Sequence, residues 1–233
     1  MVARGRSAPE FDKRAIFAAH PLFGKLGPDA IERLTSYAHT KTFAAGATIF
    51  ERGDPGDGLF AVLAGTVRIS NRSVDGKDAV FNLIKPGEIF GEIALLDGRE
   101  RTADAQAATD CTLLLIDRRD FIPLLTAQPE LAMKLIEVLC GRLRHTSEQV
   151  EDMLFLDLPR RLAKTLLWLS ANSPSRRLSI TQREIGQIVG MTRESANKQL
   201  REWEEQKWVR LERGRILLLD TQALAQIAAS AIE

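Results

Sequence analysis

The stretch "FGEIALLDGRERTA", residues 90–103, sets Glu92 and Arg101 inside an otherwise apolar segment. An isolated buried charge is expensive, so these two must pair with each other, stand in water, or hold something. The other residue types that do chemistry are poorly arranged for catalysis. His20, His39 and His145 are scattered without HExxH or any other ligand spacing, and Cys111 and Cys140 form no CxxC pair. A metal site, an iron–sulfur cluster and a disulfide framework are therefore not expected, and no residue is assigned a catalytic role. Free thiols in apolar surroundings fit a reducing cytoplasm.

The elements that must position Glu92 and Arg101 are bounded by the totals. With 233 residues, 45% hydrophobic and 27% charged, the chain allows one large globular domain or two modest ones. No apolar run approaches the ~18 residues of a membrane span. The polar start "MVARGRSAPEFDKR" lacks a signal core, so export is not expected. The net charge of +1 hides an asymmetry. Residues 1–158 carry 19 Lys/Arg against 23 Asp/Glu, residues 159–215 carry 13 against 6, and residues 216–233 carry none against 2. A basic segment on an otherwise acidic chain points towards nucleic acid, with a solvated basic face as the plain alternative.

Residues 14–40 read as short helices, with Pro28 at a first helical position. From Lys41 the texture changes to short β-rich runs: "KTFAAGATIF", "GLFAVLAGTVRIS", "DAVFNLIKPGEIF" and "TADAQAATDCTLLLID". Clusters rich in Gly, Asp and Pro separate them, and "VDGK" fits a tight hairpin turn. This spacing predicts a small barrel or sandwich. A long helix follows, with Ile136, Leu143, Val150 and Asp157 at heptad position a and Leu139, Thr146 and Met153 at d. Such a seam fits a two-stranded coiled coil, or else a helix lying on its own domain, and Thr146 is its polar exception. The last third opens a helix with the capping box "TQRE", Thr181 and Glu184, ends it at Gly190, and starts another with Thr192 as cap. This is a helix-turn-helix pattern. "KWVRLERGRILLLD" then reads as a hairpin around Arg213-Gly214, the wing.

With "FGEIALLDGRERTA", "RLRHTSE", "FLDLPRRLAKTLL" and "TQREIGQIVGMTRES" in that order, nearly the whole chain resembles the cyclic-AMP receptor protein family of bacterial transcription regulators. The resemblance implies an α+β protein in three parts. These are a cyclic-nucleotide-binding β jelly roll with N-terminal helices (1–128), a dimerisation helix (129–157) and a winged helix-turn-helix DNA-binding domain (158–233).

It also implies a site. Arg101 would neutralise the cyclic phosphate through its guanidinium fork. Gly91 would allow close approach, and the backbone N–H groups of Glu92, Ile93 and Ala94 would face the phosphate. Thr102 would add a hydroxyl and Glu92 would accept from the ribose 2′-OH. Ile69 and Phe81 match positions walling the family pocket. Arg142, Thr146 and Ser147 match those that meet the ligand from the long helix, with Thr146 and Ser147, one from each protomer, receiving an adenine amino group. Thr102 stands where enteric members carry serine and resembles domains that prefer cyclic GMP. Cyclic AMP is favoured because the Thr146-Ser147 pair is complete, with cyclic GMP as the alternative.

On the DNA side, Arg193 and Glu194 match the residues that read base edges, suited to guanine and cytosine respectively. Thr181 and Ser195 suit phosphate contacts. Lys198 replaces an arginine of the family and keeps its charge without the fork, while Ala196, Leu200 and Trp203 read as core. The implied partners are a second copy of the chain, palindromic operator DNA and RNA polymerase, in the cytoplasm and away from membranes. The segment "ANSPSRRLS" is shorter than the enteric loop that meets the polymerase, so that surface does not carry over.

Overall fold

The computed structural model describes residues 12–72, 78–171 and 176–229. The "VDGK" turn, most of the polar start and residues 172–175 lie outside them. The chain divides into two units, Met1–Ile69 with Leu83–Cys140, and Ser70–Asn82 with Gly141–Glu233.

In the first unit, helix α1 (Lys13–Ala19) starts where the Asp12 carboxylate accepts from the Ala15 N–H at 3.1 Å. Helix α2 (Pro28–Tyr37) has its proline in the first turn, as expected. Each β-rich run is folded back into two strands. The first gives β1 (His39–Phe43) and β2 (Thr48–Phe50), the second β3 (Gly58–Ala64) and β4 (Val67–Arg72). The third gives β5 (Asp78–Ile84), whose residues up to Asn82 fall in the second unit, and β6 (Ile89–Phe90), and the fourth β7 (Asp104–Ala107) and β8 (Cys111–Asp117). Gly65 shows what such a reversal requires. Its φ is +87° and a Cβ there would lie 2.2 Å from the Asp110 carbonyl oxygen, so no other residue fits.

The strands form two four-stranded sheets in the orders β1-β8-β3-β6 and β2-β7-β4-β5, the expected jelly-roll arrangement. Phe60, Val67, Phe90, Ala105, Cys111 and Leu113 fill the space between them. A second core lies under the helices, where Phe17, Phe23, Leu34 and Phe121 meet Leu59 and Ile116. Inside it His20 is 6% exposed. Its Nδ1 accepts from the Leu22 N–H at 3.1 Å, its Nε2 has no partner among the described residues, and burial lowers its pKa to about 4. Burial also pushes the Cys111 thiol up, whereas Cys140 is exposed.

Two short helices complete this unit. Helix α3 (Glu92–Asp97) follows β6. Helix α4 (Arg118–Ala127) was not legible because Pro123 lies inside it; burial of Phe121 and Leu124 holds it despite the missing N–H. The long helix α5 (Pro129–Phe155) begins here, and its Leu131 and Leu135 join the helical core.

From Gly141 onward α5 belongs to the second unit. It stops at Phe155, so Asp157 is not its last a position. Asp157 instead accepts from the Arg160 N–H at 3.0 Å and opens helix α6 (Leu158–Ala171). After the two-residue strand β9 (Arg177–Leu178) come α7 (Gln182–Val189), α8 (Arg193–Glu205), the hairpin β10 (Val209–Glu212) and β11 (Arg215–Leu218), and α9 (Thr221–Ala229). The small sheet is ordered β10-β11-β9. Leu162, Ala163, Leu166 and Leu169 of α6 are buried, as is Leu224 of α9, the helix that packs on α6.

Candidate functional site

Arg101 is the centre of the first unit's chemistry. It is 6% exposed, yet the hydrogen-bond partners of its side chain among the described residues are both carbonyl oxygens. Nη1 donates to Gly91 O and Nη2 to Gly58 O, each at 2.8 Å, while the buried Nε has no partner among them. The guanidinium carbon lies 4.3 Å above the Phe50 ring, within cation–π range, and Phe50, Phe60 and Phe90 form a cluster with Phe60 and Phe90 stacked at 5.0 Å. Burial pushes the Arg101 pKa down, and the charges of Asp57, Glu92 and Asp54 push it back up. The opening alternatives are therefore narrowed. Arg101 is not in water, and it feels Glu92 electrostatically while its hydrogen bonds go to carbonyl oxygens. A guanidinium has five N–H groups, and the two bound to carbonyls leave capacity for an oxyanion.

Of the residues expected around a phosphate, Gly91 is the one joined to Arg101, through the hydrogen bond to its carbonyl. Gly91 caps α3 in the left-handed conformation, φ +81°, with no side-chain cap on the first turn formed by Glu92, Ile93 and Ala94. Glu92 is 3% exposed, Ala94 is buried, and Ile93 and Thr102 are exposed. Ile69 is half-buried against the inter-sheet core. Phe50 and Gly58 were not anticipated. Gly58 was visible only as a turn glycine, although a Cβ on it would strike Leu115 Cδ1 at 2.4 Å.

The remaining predicted ligand residues belong to the second unit. Phe81 on β5 is 45% exposed. On α5, Arg142 is half-buried, Thr146 and Ser147 are exposed, and the Ser147 hydroxyl donates to Leu143 O at 3.0 Å. Of the apolar heptad positions, Ile136, Leu143, Val150 and Met153 are each at least half exposed, and Leu139 is half-buried.

The helix-turn-helix forms as its caps foretold. Thr181 and Glu184 make the reciprocal capping box, Gly190 ends α7 at φ +74°, and the Thr192 hydroxyl accepts from the Ser195 N–H at 3.1 Å. Ala196, Leu200 and Trp203 are buried, which turns Arg193, Glu194 and Lys198 outward. Ser195 Oγ accepts from Thr192, so its own hydrogen can be donated outward, whereas the Thr181 hydroxyl donates to Glu184 at 2.7 Å. Gly214, φ +70°, turns the wing between β10 and β11.

Residues 40–128 match the cyclic nucleotide-binding domain and residues 160–227 the Crp-like helix-turn-helix domain. The CRP-like cAMP-activated global transcriptional regulator of Mycobacterium tuberculosis is 34% identical over 91% of this chain and 98% of its own length. The cyclic AMP receptor protein of Thermus thermophilus is 32% identical over 89% of this chain and 96% of its own. A solved CRP/FNR-family transcriptional regulator from Thermus thermophilus superposes with a TM-score of 0.69 at 32% identity, covering 83% of this chain and all of that one. A nucleotide-binding β domain joined to a helix-turn-helix is a regulator's architecture and not an enzyme's. The chain belongs to the CRP family of cyclic-nucleotide-binding, DNA-binding transcription regulators.

Proposed function

We propose that this protein is a homodimeric regulator switched by cyclic AMP, which reorients its paired recognition helices on palindromic operator DNA. The observation that carries the nucleotide reading is Arg101, a buried guanidinium with an unpartnered Nε and carbonyls for hydrogen-bond partners among the described residues. A cyclic phosphate supplies the oxyanion, Glu92 the acceptor for the ribose 2′-OH, and the first turn of α3 the amides. Ile69 and Phe81 flank the base, and Arg142, Thr146 and Ser147 meet it from α5. Completeness of the Thr146-Ser147 pair supports adenine; the Thr102 hydroxyl supports guanine as the alternative. The names of the Mycobacterium and Thermus relatives also favour cyclic AMP.

The stripe of Ile136, Leu139, Leu143, Val150 and Met153, all exposed but the half-buried Leu139, supports a parallel dimer through α5. Two-fold symmetry then spaces the half-sites about one helical turn apart, a geometry for which the related catabolite activator is a standard example. Arg193, Glu194 and Lys198 read bases, with Ser195 and Thr181 on phosphates. The three-part division at residues 128 and 157, RNA polymerase as a partner and a cytoplasmic location complete the reading.

The test is calorimetry with cyclic AMP and cyclic GMP, with and without a palindromic operator, at one fixed salt concentration because phosphate contacts dominate salt sensitivity. Linkage is reciprocal, so DNA should tighten nucleotide binding by the factor by which nucleotide tightens DNA, about 1–3 kcal/mol of coupling. Specific DNA binding that leaves nucleotide affinity unchanged overturns the switch.

A further inference from the structure

The corner between α5 and α6 carries a set of contacts that the nucleotide and operator sites do not use. Leu162, Ala163, Leu166 and Leu169 turn one face of α6 into its own unit. Arg161, Lys164 and Trp168, spaced three and four apart, form a different stripe. All three meet α5. The His145 and Trp168 rings stack at 4.1 Å with an interplanar angle of 11°. Lys164 Nζ reaches Asp152 Oδ1 at 2.6 Å, and Arg161 Nη1 donates to Met153 O at 3.3 Å. As the α5 number rises the α6 number falls, so the two helices run antiparallel past Leu156 and Asp157, fastened by the tips of long side chains.

We propose that the His145–Trp168 stack is a pH-sensitive latch on this corner, closed by the neutral imidazole and released when His145 takes up a proton.

The sign is a contest. An imidazolium over an indole face gains cation–π attraction, about 0.5–2 kcal/mol, and would tighten the stack. Glu148 and Asp152 on α5 also favour the charged ring, whereas burial, the largest effect, and the Lys164 ammonium on α6 oppose it. Asp152 is already engaged by Lys164, and the net result is an imidazole held below its ordinary value of 6.5. A His145 freed into water regains that ordinary value, so it binds its proton more tightly than the latched one. The closed corner is therefore fully favoured above pH 6.5 and loses ground as pH falls below it.

The latch does not rest on the nucleotide reading, and it is tested on the full chain without nucleotide or DNA. Proton NMR follows the imidazole of His145 and the indole N–H of Trp168 through a pH titration. Acrylamide quenching measures Trp168 exposure as the difference between wild type and Trp168→Phe. The expected result is a His145 midpoint below 6.5, a Trp168 resonance that moves with the same midpoint, and quenching that increases in acid. Trp168→Leu should raise the His145 midpoint towards the ordinary value, and His145→Gln should abolish the acid-dependent quenching. A Trp168 signal indifferent to His145, or a midpoint above the ordinary value, overturns the proposal. Should either variant fail to fold, the paired wild-type titrations decide it alone.

Discussion

Gly91 and Arg101 are built around one another. The Gly91 carbonyl accepts from Arg101 Nη1 at 2.8 Å, and a Cβ on Gly91 would stand 2.5 Å from that same nitrogen. Gly91→Ala therefore forces a left-handed backbone, costing about 1–2 kcal/mol, and drives the guanidinium from its seat. Thermal unfolding should show a modest loss of stability. Calorimetry should show a much larger loss of cyclic-nucleotide affinity, and equal affinity would mean that Arg101 is not the phosphate ligand.

Arg101→Leu removes the charge outright. Charge-assisted hydrogen bonds contribute about 1.5–3 kcal/mol each, so affinity should fall by about tenfold or more. Arg101→Lys retains a point charge without the fork and should bind between the two. Glu92→Gln keeps an acceptor for the ribose and should have a smaller effect than Arg101→Leu.

The base is probed by a crossed pair of variants. Ser147→Ala should weaken cyclic AMP binding more than cyclic GMP binding, and Thr102→Ala the reverse. Equal losses for both nucleotides in both variants would move base recognition elsewhere.

His20 makes folding sensitive to acid. Its pKa is about 4 in the folded chain against 6.5 ordinarily, so the folded state prefers the neutral ring. The associated stability is present above pH 6.5 and is lost as pH falls towards 4, up to about 3 kcal/mol. His20→Gln keeps an acceptor for the Leu22 N–H without a titrating group. Its melting temperature should fall less steeply than that of the wild type between neutral pH and about pH 5.

Thr192→Ala removes the acceptor for the Ser195 N–H and should cost about 1 kcal/mol of helix stability. The frayed turn is the one carrying Arg193 and Glu194, so operator affinity should drop as well. A band-shift titration that matches the wild type would place base reading further along α8.

What could be read from the sequence was chemistry held within a few residues. Thr181 and Glu184 are three apart, Gly190 follows its helix directly, and Gly91 adjoins Glu92, so their geometry is nearly fixed by spacing. Partners set by sheet topology were out of reach. Gly58 meets Arg101 across 43 positions, and nothing near either residue announces the other. Helix α4 was hidden by Pro123, where tertiary burial of Phe121 outweighs a local penalty. Strand β9 is two residues long, too short for any alternation, and exists because Ile216 and Leu217 offer it a ladder. The heptad stripe on α5 was legible to Met153, but its continuation to Asp157 failed because a carboxylate that can cap a new helix ends the old one.

The contrast between the two cysteines makes the chain a ready substrate for selective chemistry. A thiol reacts as its thiolate, and Cys111 is both buried and pushed up in pKa, while Cys140 lies exposed on α5. A maleimide dye added to the native protein should thus attach at Cys140 and spare Cys111 until the chain unfolds. The unmodified sequence already carries a reporter position midway along its longest helix, and the reactivity of its hidden thiol doubles as a clock for unfolding.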